Sequence, residues 1–93
     1  KMVNALLDSG AEISIITTPQ ANEIWGLSLR PRMKLWPKNM LTVDDRRISV
    51  KGAIETAIEI GNLKTKHTFT IIDSKSKEVL LGYDFIKKYK LSI

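Results

Sequence analysis

Hydrophobic and polar residues alternate along much of the chain, which is the pattern of half-buried β-strands. The pattern predicts strands at residues 3–7, 12–17, 41–43, 48–50, 54–60, 65–72 and 79–81, with a strand fragment at 91–93. Two tight connections join neighbouring strands. One is the polar tetrapeptide at residues 44–47, and the other is Gly61-Asn62. Both predict β-hairpins.

Two short helices interrupt the strands. Thr18-Pro19 has the chemistry of a helix start, with a capping hydroxyl and then a proline at the first helical position, and Gly26 ends this helix. Residues 84–89 form the second helix. Residues 30–36 contain a proline and precede another, so we expect an extended or edge segment there. The prediction is an all-β domain, a small closed barrel or sandwich, with two short helices.

Composition narrows the class of protein. The chain has 93 residues, enough for one small domain. A domain of this size buries roughly 60–65% of its unfolded surface, so it gains stability by oligomerising. Cysteine is absent, which excludes disulfides and cysteine-based metal sites. No apolar run approaches the roughly 18 residues of a membrane span, so no membrane partner is expected.

The formal net charge is +5, and such a balance attracts polyanions. Few aromatic residues lie among the basic ones, whereas a nucleic-acid platform needs them for stacking. A solvated basic surface is therefore favoured over nucleic-acid binding. Lone His67 is predicted to be a surface strand residue, because its neighbours Lys66 and Thr68 are polar.

Asp8-Ser9-Gly10 stands between two aliphatic runs and is followed by Ala11. About 70 residues later comes a second motif, the stretch VLLGYDFI at residues 79–86. With these two motifs in this order, nearly the whole chain resembles the retroviral-type aspartic proteases (retropepsins), and especially those of gypsy-type LTR retrotransposons. The resemblance implies a small closed barrel that is active as a homodimer, without a cofactor or metal.

The chemistry of Asp8 agrees with this resemblance. Hydrolysis of a peptide without a metal or a nucleophilic side chain needs a base that activates water and an acid that protonates the leaving nitrogen. Two carboxyls that share one proton do both. The chain has one such motif, so the second Asp8 must come from another copy across a two-fold axis. Four other aspartates lack this setting and are not candidates: Asp44, Asp45, Asp73 and Asp84.

The resemblance also implies roles for neighbouring residues. Ser9 would hydrogen-bond across the dimer axis, and Gly10 would let the backbone approach the substrate. Substrate contacts would come from Leu6, Ala11, Glu12, Leu80 and the residues Val43, Asp44 and Asp45 of a flap hairpin at residues 41–50. For Leu6 and Leu80, simple core packing is an equally weighted alternative. The helix after Gly82 would pack under the active-site loop.

The leading hypothesis is therefore an aspartic endopeptidase that cleaves a retroelement polyprotein, its own parent chain, in the cytoplasm or within retroelement particles. An alternative from a different class is a catalytically silent retropepsin-like dimerisation or peptide-binding module. A cellular retropepsin resembling the DNA-damage-inducible ubiquitin-shuttle family is a third hypothesis, although those proteins usually carry longer inserts.

Only seven residues precede Asp8, so we expect the N-terminal partner strand of the family to be missing and the dimer to be weak.

Overall fold

The computed structural model describes residues 3–8, 10–35, 40–43 and 46–89, with the backbone alone for 40–43. Its strands are β1 (Leu6–Leu7), β2 (Ile15–Thr17), β3 (Met40–Val43), β4 (Arg46–Ile60), β5 (Leu63–Ile72) and β6 (Val79–Leu81). Its helices are α1 (Thr18–Trp25), α2 (Leu29–Arg32) and α3 (Tyr83–Lys88), and a 3₁₀ turn, Gly26–Ser28, joins α1 to α2. The prediction of a mostly-β fold with short helices is confirmed.

The six strands form one sheet in the order β1-β6-β2-β5-β4-β3. β1 pairs with β6 and β2 with β5 in parallel, whereas the other neighbours are antiparallel. Within the described residues no pairing joins β1 to β3, so the sheet is open and the predicted closure of the barrel is corrected. Closure requires tilted strands in continuous register around the barrel, and β1 offers only two residues to such a register.

Both predicted hairpins are present. Leu41 pairs with Ile48 in the first. Of its predicted connection at residues 44–47, Arg46 and Arg47 belong to β4 instead, because they pair with β3, and Asp44-Asp45 lies outside the described residues. The second joins β4 to β5 through Gly61, whose φ of 58° is the left-handed conformation that glycine adopts without steric cost. The predicted strands at 48–50 and 54–60 are parts of the single strand β4, which bends at a bulge between Val50 and Gly52.

The main core lies between the sheet and the helices. Its innermost residues are Ala21 of α1, Ile54 of β4, Ile71 of β5 and Phe85 of α3, all with no exposed surface. A smaller cluster of Ile15, Val50 and Ile72 is also buried. In the part of the chain that the structure describes, no helix is long and apolar enough to span a membrane.

Two local predictions are wrong in part. Residues 30–32, predicted to be extended, belong to helix α2, because Leu29 is buried as an anchor and Pro31 occupies the first turn, where no helical N–H partner is needed. Helix α1 begins at Thr18 as expected, but the hydroxyl of Thr18 does not cap it. That hydroxyl donates instead to the carbonyl of Ile72, at 2.9 Å.

The first two strands are also shorter than predicted. Residues 3–5 precede β1 without strand pairing, and residues 12–14 precede β2. The carbonyls of Ala11 and Glu12 accept hydrogen bonds from the first residues of α3, so the chain bonds to a helix there and reaches β5 only from Ser14 onward. The C-terminal fragment predicted at 91–93 lies outside the described residues.

Candidate active site

The Asp8 loop connects the edge strand β1 to the central strand β2. The N–H of Asp8 donates to the carbonyl of Leu81 at 2.9 Å, which fixes the start of the loop to β6. The carbonyl of Asp8 accepts the N–H of Ala11 at 3.2 Å, so the chain reverses within three residues. Ser9 lies outside the described residues.

The carboxylate of Asp8 is held by this turn. Its Oδ1 accepts the N–H of Gly10 at 3.0 Å, and the side chain is half-buried. A Cβ atom on Gly10 would lie 3.3 Å from that Oδ1, a tight contact that glycine avoids. The loop therefore presents one oriented carboxyl group directly after the strand β1.

Leu6 and Leu80 are direct neighbours in the parallel β1–β6 pair. Leu6 is 64% exposed, so it is not a core residue, whereas Leu80 is half-buried against the smaller hydrophobic cluster. Together with Lys77 and Glu78 they line a shallow cavity of about 190 Å³. The structure thus gives these two leucines a shared surface on β1 and β6, the two strands whose ends meet where Asp8 bonds to Leu81.

The other predicted substrate residues divide into two groups. Ala11 is half-buried and Glu12 exposed, and both follow Asp8 in the same loop. Val43 ends β3, which lies at the opposite end of the sheet order from β1, and its side chain, with Asp44 and Asp45, lies outside the described residues. Within one chain, Leu6, Ala11 and Glu12 lie within four residues of Asp8, and Leu80 joins them by pairing with Leu6.

A cavity of about 400 Å³ lies elsewhere, between α1, α2 and β4. Its lining includes Arg30 and Lys51 but no carboxylate or histidine, so it offers no acid–base pair. Within the described residues, no group of three or more His, Cys, Asp or Glu side chains could hold a metal ion.

Ser14, His67 and Asp84 form a polar cluster that the sequence patterns do not predict. The hydroxyl of Ser14 donates to Oδ1 of Asp84 at 2.8 Å, and Nε2 of His67 lies 3.0 Å from that hydroxyl and 3.2 Å from Oδ2 of Asp84. His67 is 7% exposed, so its predicted surface position is wrong. The signal was available, because His67 shares the two-residue period of buried Phe69 and Ile71, and polar neighbours belong to the opposite face of the strand.

This cluster has the residue types of a serine-hydrolase triad but not its geometry. In such a triad the serine and the aspartate contact opposite nitrogens of the imidazole ring. Here both contact the same atom, Nε2 of His67. The hydroxyl of Ser14 also has no exposed surface for a substrate to reach. The cluster is therefore not a nucleophilic site.

Comparison with known proteins identifies the family. The profile described as gag-polyprotein putative aspartyl protease matches residues 1–88. The chain belongs to this family. The aspartyl protease family accounts for the two motifs around Asp8 and Gly82, and it confirms the resemblance to aspartic proteases at the family level.

Relatives and solved structures agree with this assignment. The chain is 34% identical to DNA damage-inducible protein 1 of Chaetomium globosum and 32% identical to that of Neurospora crassa; each match covers 98% of the chain and 20% of the relative. The chain thus spans about a fifth of these curated relatives. The predicted origin in a gypsy-type retrotransposon is not confirmed by them and stays a prediction.

Two solved structures show the same fold. The retroviral protease-like domain of Ddi1 from Leishmania major superposes with a TM-score of 0.77 at 22% identity, covering 100% of this chain and 72% of that one. The EIAV protease in complex with an inhibitor superposes with a TM-score of 0.72 at 19% identity, covering 98% and 80%. This aspartyl protease domain therefore has the retropepsin-like fold.

Proposed function

We propose that this domain is an aspartic endopeptidase whose active site forms between two copies of the chain, each contributing Asp8. The observation that carries the proposal is the geometry of the Asp8 carboxyl, which a backbone N–H orients in a compact loop at the edge of the sheet. Membership of the aspartyl protease family supports it.

In the proposed reaction the two carboxyls share one proton, because like charges a few ångström apart cannot both ionise easily. The charged carboxylate takes a proton from water while the water oxygen bonds to the carbonyl carbon of the peptide. The other carboxyl then provides the proton that the leaving nitrogen needs as the C–N bond breaks. The cleavage rate is expected to fall at both low and high pH, because one carboxyl must be charged and the other protonated.

The edge of the sheet supplies the surface for the second copy. Among the described strands β1 lies at the end of the sheet, and its two leucines are exposed, Leu6 by 64% and Leu7 by 45%. An apolar strand edge that no other described strand pairs with, next to a single catalytic motif, fits a homodimer with Asp8 near its axis. The proposed role of Ser9, a hydrogen bond across that axis, follows from the family resemblance.

An extended polypeptide is the proposed substrate. Leu6 and Leu80 would contact the side chains that flank the scissile bond, and Ala11 and Glu12 would lie beside the substrate main chain. The hairpin of β3 and β4 would cover the substrate. The substrate proposed first for the domain is a retroelement polyprotein, processed in the cytoplasm or within retroelement particles. The family's description as a gag-polyprotein aspartyl protease supports this proposal.

A cellular protein is the second candidate substrate, because the curated relatives are DNA damage-inducible proteins of fungi. In that case the domain would act on a cellular protein. Incubation with its own upstream polyprotein and mapping of the new termini separates the two. Defined cleavage supports the polyprotein, and an intact polyprotein alongside cleavage of model peptides supports a cellular substrate.

Asp8→Asn tests the proposed chemistry. Asparagine keeps the oxygen that accepts the N–H of Gly10, so the loop should survive while the base is lost. We expect cleavage of a peptide library to disappear, with the urea unfolding curve unchanged, and we expect a statine inhibitor to block the parent. An Asn variant that cleaves near the parental rate would refute the proposal, as would a parent inhibited by thiol reagents but not by the statine.

A further inference from the structure

Ser14 is the centre of the buried polar cluster. Its hydroxyl proton goes to Oδ1 of Asp84, because a carboxylate only accepts hydrogen bonds. Its oxygen accepts the N–H of Gly82 at 3.1 Å and faces Nε2 of His67 at 3.0 Å. A hydroxyl has one proton to donate and two lone pairs to accept with, so every hydrogen-bonding position of Ser14 is used.

His67 completes the cluster from β5. Its Nε2 lies within hydrogen-bonding distance of both the Ser14 hydroxyl and Oδ2 of Asp84, so this nitrogen must carry the proton. The ring is held by edge-to-face contacts with Phe69 and Phe85, at centroid distances of 5.5 and 5.1 Å. The contacts with the two phenylalanine rings therefore fix the direction of the Nε2–H group of His67.

Residues 81–84 hydrogen-bond to both ends of the Asp8 loop. Residues 81–84 make four consecutive bonds to it. The carbonyl of Leu81 accepts the N–H of Asp8, and the N–H of Gly82 donates to the Ser14 hydroxyl. The next two N–H groups donate to the carbonyls of Ala11 and Glu12, at 2.7 and 3.1 Å. Only the second of these four bonds depends on a side chain.

We propose that Ser14, His67 and Asp84 are positioning residues for the Asp8 loop. Their hydrogen bonds lock the end of the loop, at Ser14, onto the start of α3 and onto β5, and so set the direction of the Asp8 carboxyl without touching substrate. The effect on cleavage rests on the proposed function. The effect on the loop itself does not.

The test compares three variants of the intact chain with a matched control. Ser14→Ala removes the central hydroxyl, and His67→Phe removes the donor but keeps an aromatic ring. Asp84→Asn is conservative and decides the question if the other two fail to fold. The control is Tyr89→Phe, which deletes the hydroxyl that bonds Thr65. That bond joins β5 to the residue directly after α3, away from the loop.

Two readouts are measured on each variant: amide hydrogen exchange at residues 10–11 and 83–84, and kcat and KM for a peptide substrate. We expect Ser14→Ala and His67→Phe to speed exchange at these amides and to lower kcat by about tenfold to a hundredfold, with little change in KM, since a displacement of about 1 Å costs that much. Asp84→Asn should lie between them and Tyr89→Phe, which should leave both readouts near those of the parent.

Each outcome decides a separate point. If the cluster variants match Tyr89→Phe in both exchange and kcat, the positioning role is overturned. If the parent shows no cleavage while the cluster variants still loosen the loop amides, the proposed function fails but the positioning role stands. Faster exchange spread evenly over all strands would indicate general destabilisation and would also overturn the proposal.

Discussion

Replacing Gly82 with alanine perturbs the contact between α3 and the Asp8 loop at a single atom. A Cβ atom added to Gly82 would lie 2.4 Å from the carbonyl oxygen of Ile13 and 2.9 Å from that of Ala11. Both neighbours are backbone atoms, so no side chain can move aside. The φ of −86° at Gly82 suits any residue, and the effect is therefore purely steric.

The size of the effect follows from these distances. Ordinary van der Waals contact begins at 3.4 Å, so the loop and the helix must separate by about 1 Å. Overpacking of this kind costs about 1–3 kcal/mol of unfolding free energy. If the enzyme proposal holds, the same displacement beside Asp8 lowers the cleavage rate by about a hundredfold.

Urea unfolding measures the first effect and peptide cleavage the second. Gly61→Ala is the matched control, because it meets no atom within 4 Å and strains only a distant turn with φ +58°. That strain costs about 1–2 kcal/mol, a comparable loss of stability. We expect both variants to be destabilised but only Gly82→Ala to disturb the loop amides and cleavage. An unfolding free energy for Gly82→Ala within about 0.5 kcal/mol of the parent would refute the reasoning.

Three further predictions concern the core, the edge and the hairpin. Phe85→Ala should lower the unfolding free energy by about 3–5 kcal/mol because Phe85 is fully buried, whereas Leu27→Ala, at a fully exposed residue, should change it by less than about 0.5 kcal/mol; equal effects in urea titrations would contradict the packing. Leu7→Asp should raise the protein concentration needed for half-maximal cleavage, because it charges the proposed dimer edge; an unchanged concentration dependence would exclude that edge. Amides of residues 40–43 should exchange faster than that of Ile71, since among the described strands β3 has one neighbour and β5 has two; equal protection would argue against a mobile flap.

Local patterns in the sequence predicted most of the strands. The alternation at residues 65–72 and the Gly61-Asn62 turn are local signals, and both correspond to observed elements. The sequence does not predict helix α2, because a proline at position 31 favours an extended segment, although proline also fits the first turn of a helix. The strand predicted at 12–17 begins only at Ile15, because Glu12 bonds to α3, about 70 residues away, and no local pattern contains that bond.

In the candidate site, too, local sequence signals predict one part and long-range contacts determine the other. Asp8 and its loop were found from a short motif, and the pairing of Leu6 with Leu80 agrees with the second motif. The partners of Ser14 lie 53 and 70 residues away, so the sequence offered only the inward period of His67 as a sign of them. A hydrogen-bond network between distant elements becomes visible only once the fold brings them together.

The central claim is that two copies of Asp8 form one active site. Adding increasing amounts of the Asp8→Asn chain to a fixed amount of parent chain, and measuring peptide cleavage, tests it most directly. A dimer of one parent chain and one Asp8→Asn chain has only one Asp8 carboxyl. We therefore predict that excess Asp8→Asn chain suppresses the parent's activity as chains exchange between dimers. Activity that stays proportional to the parent chain at every ratio, or cleavage by Asp8→Asn alone, would contradict the claim.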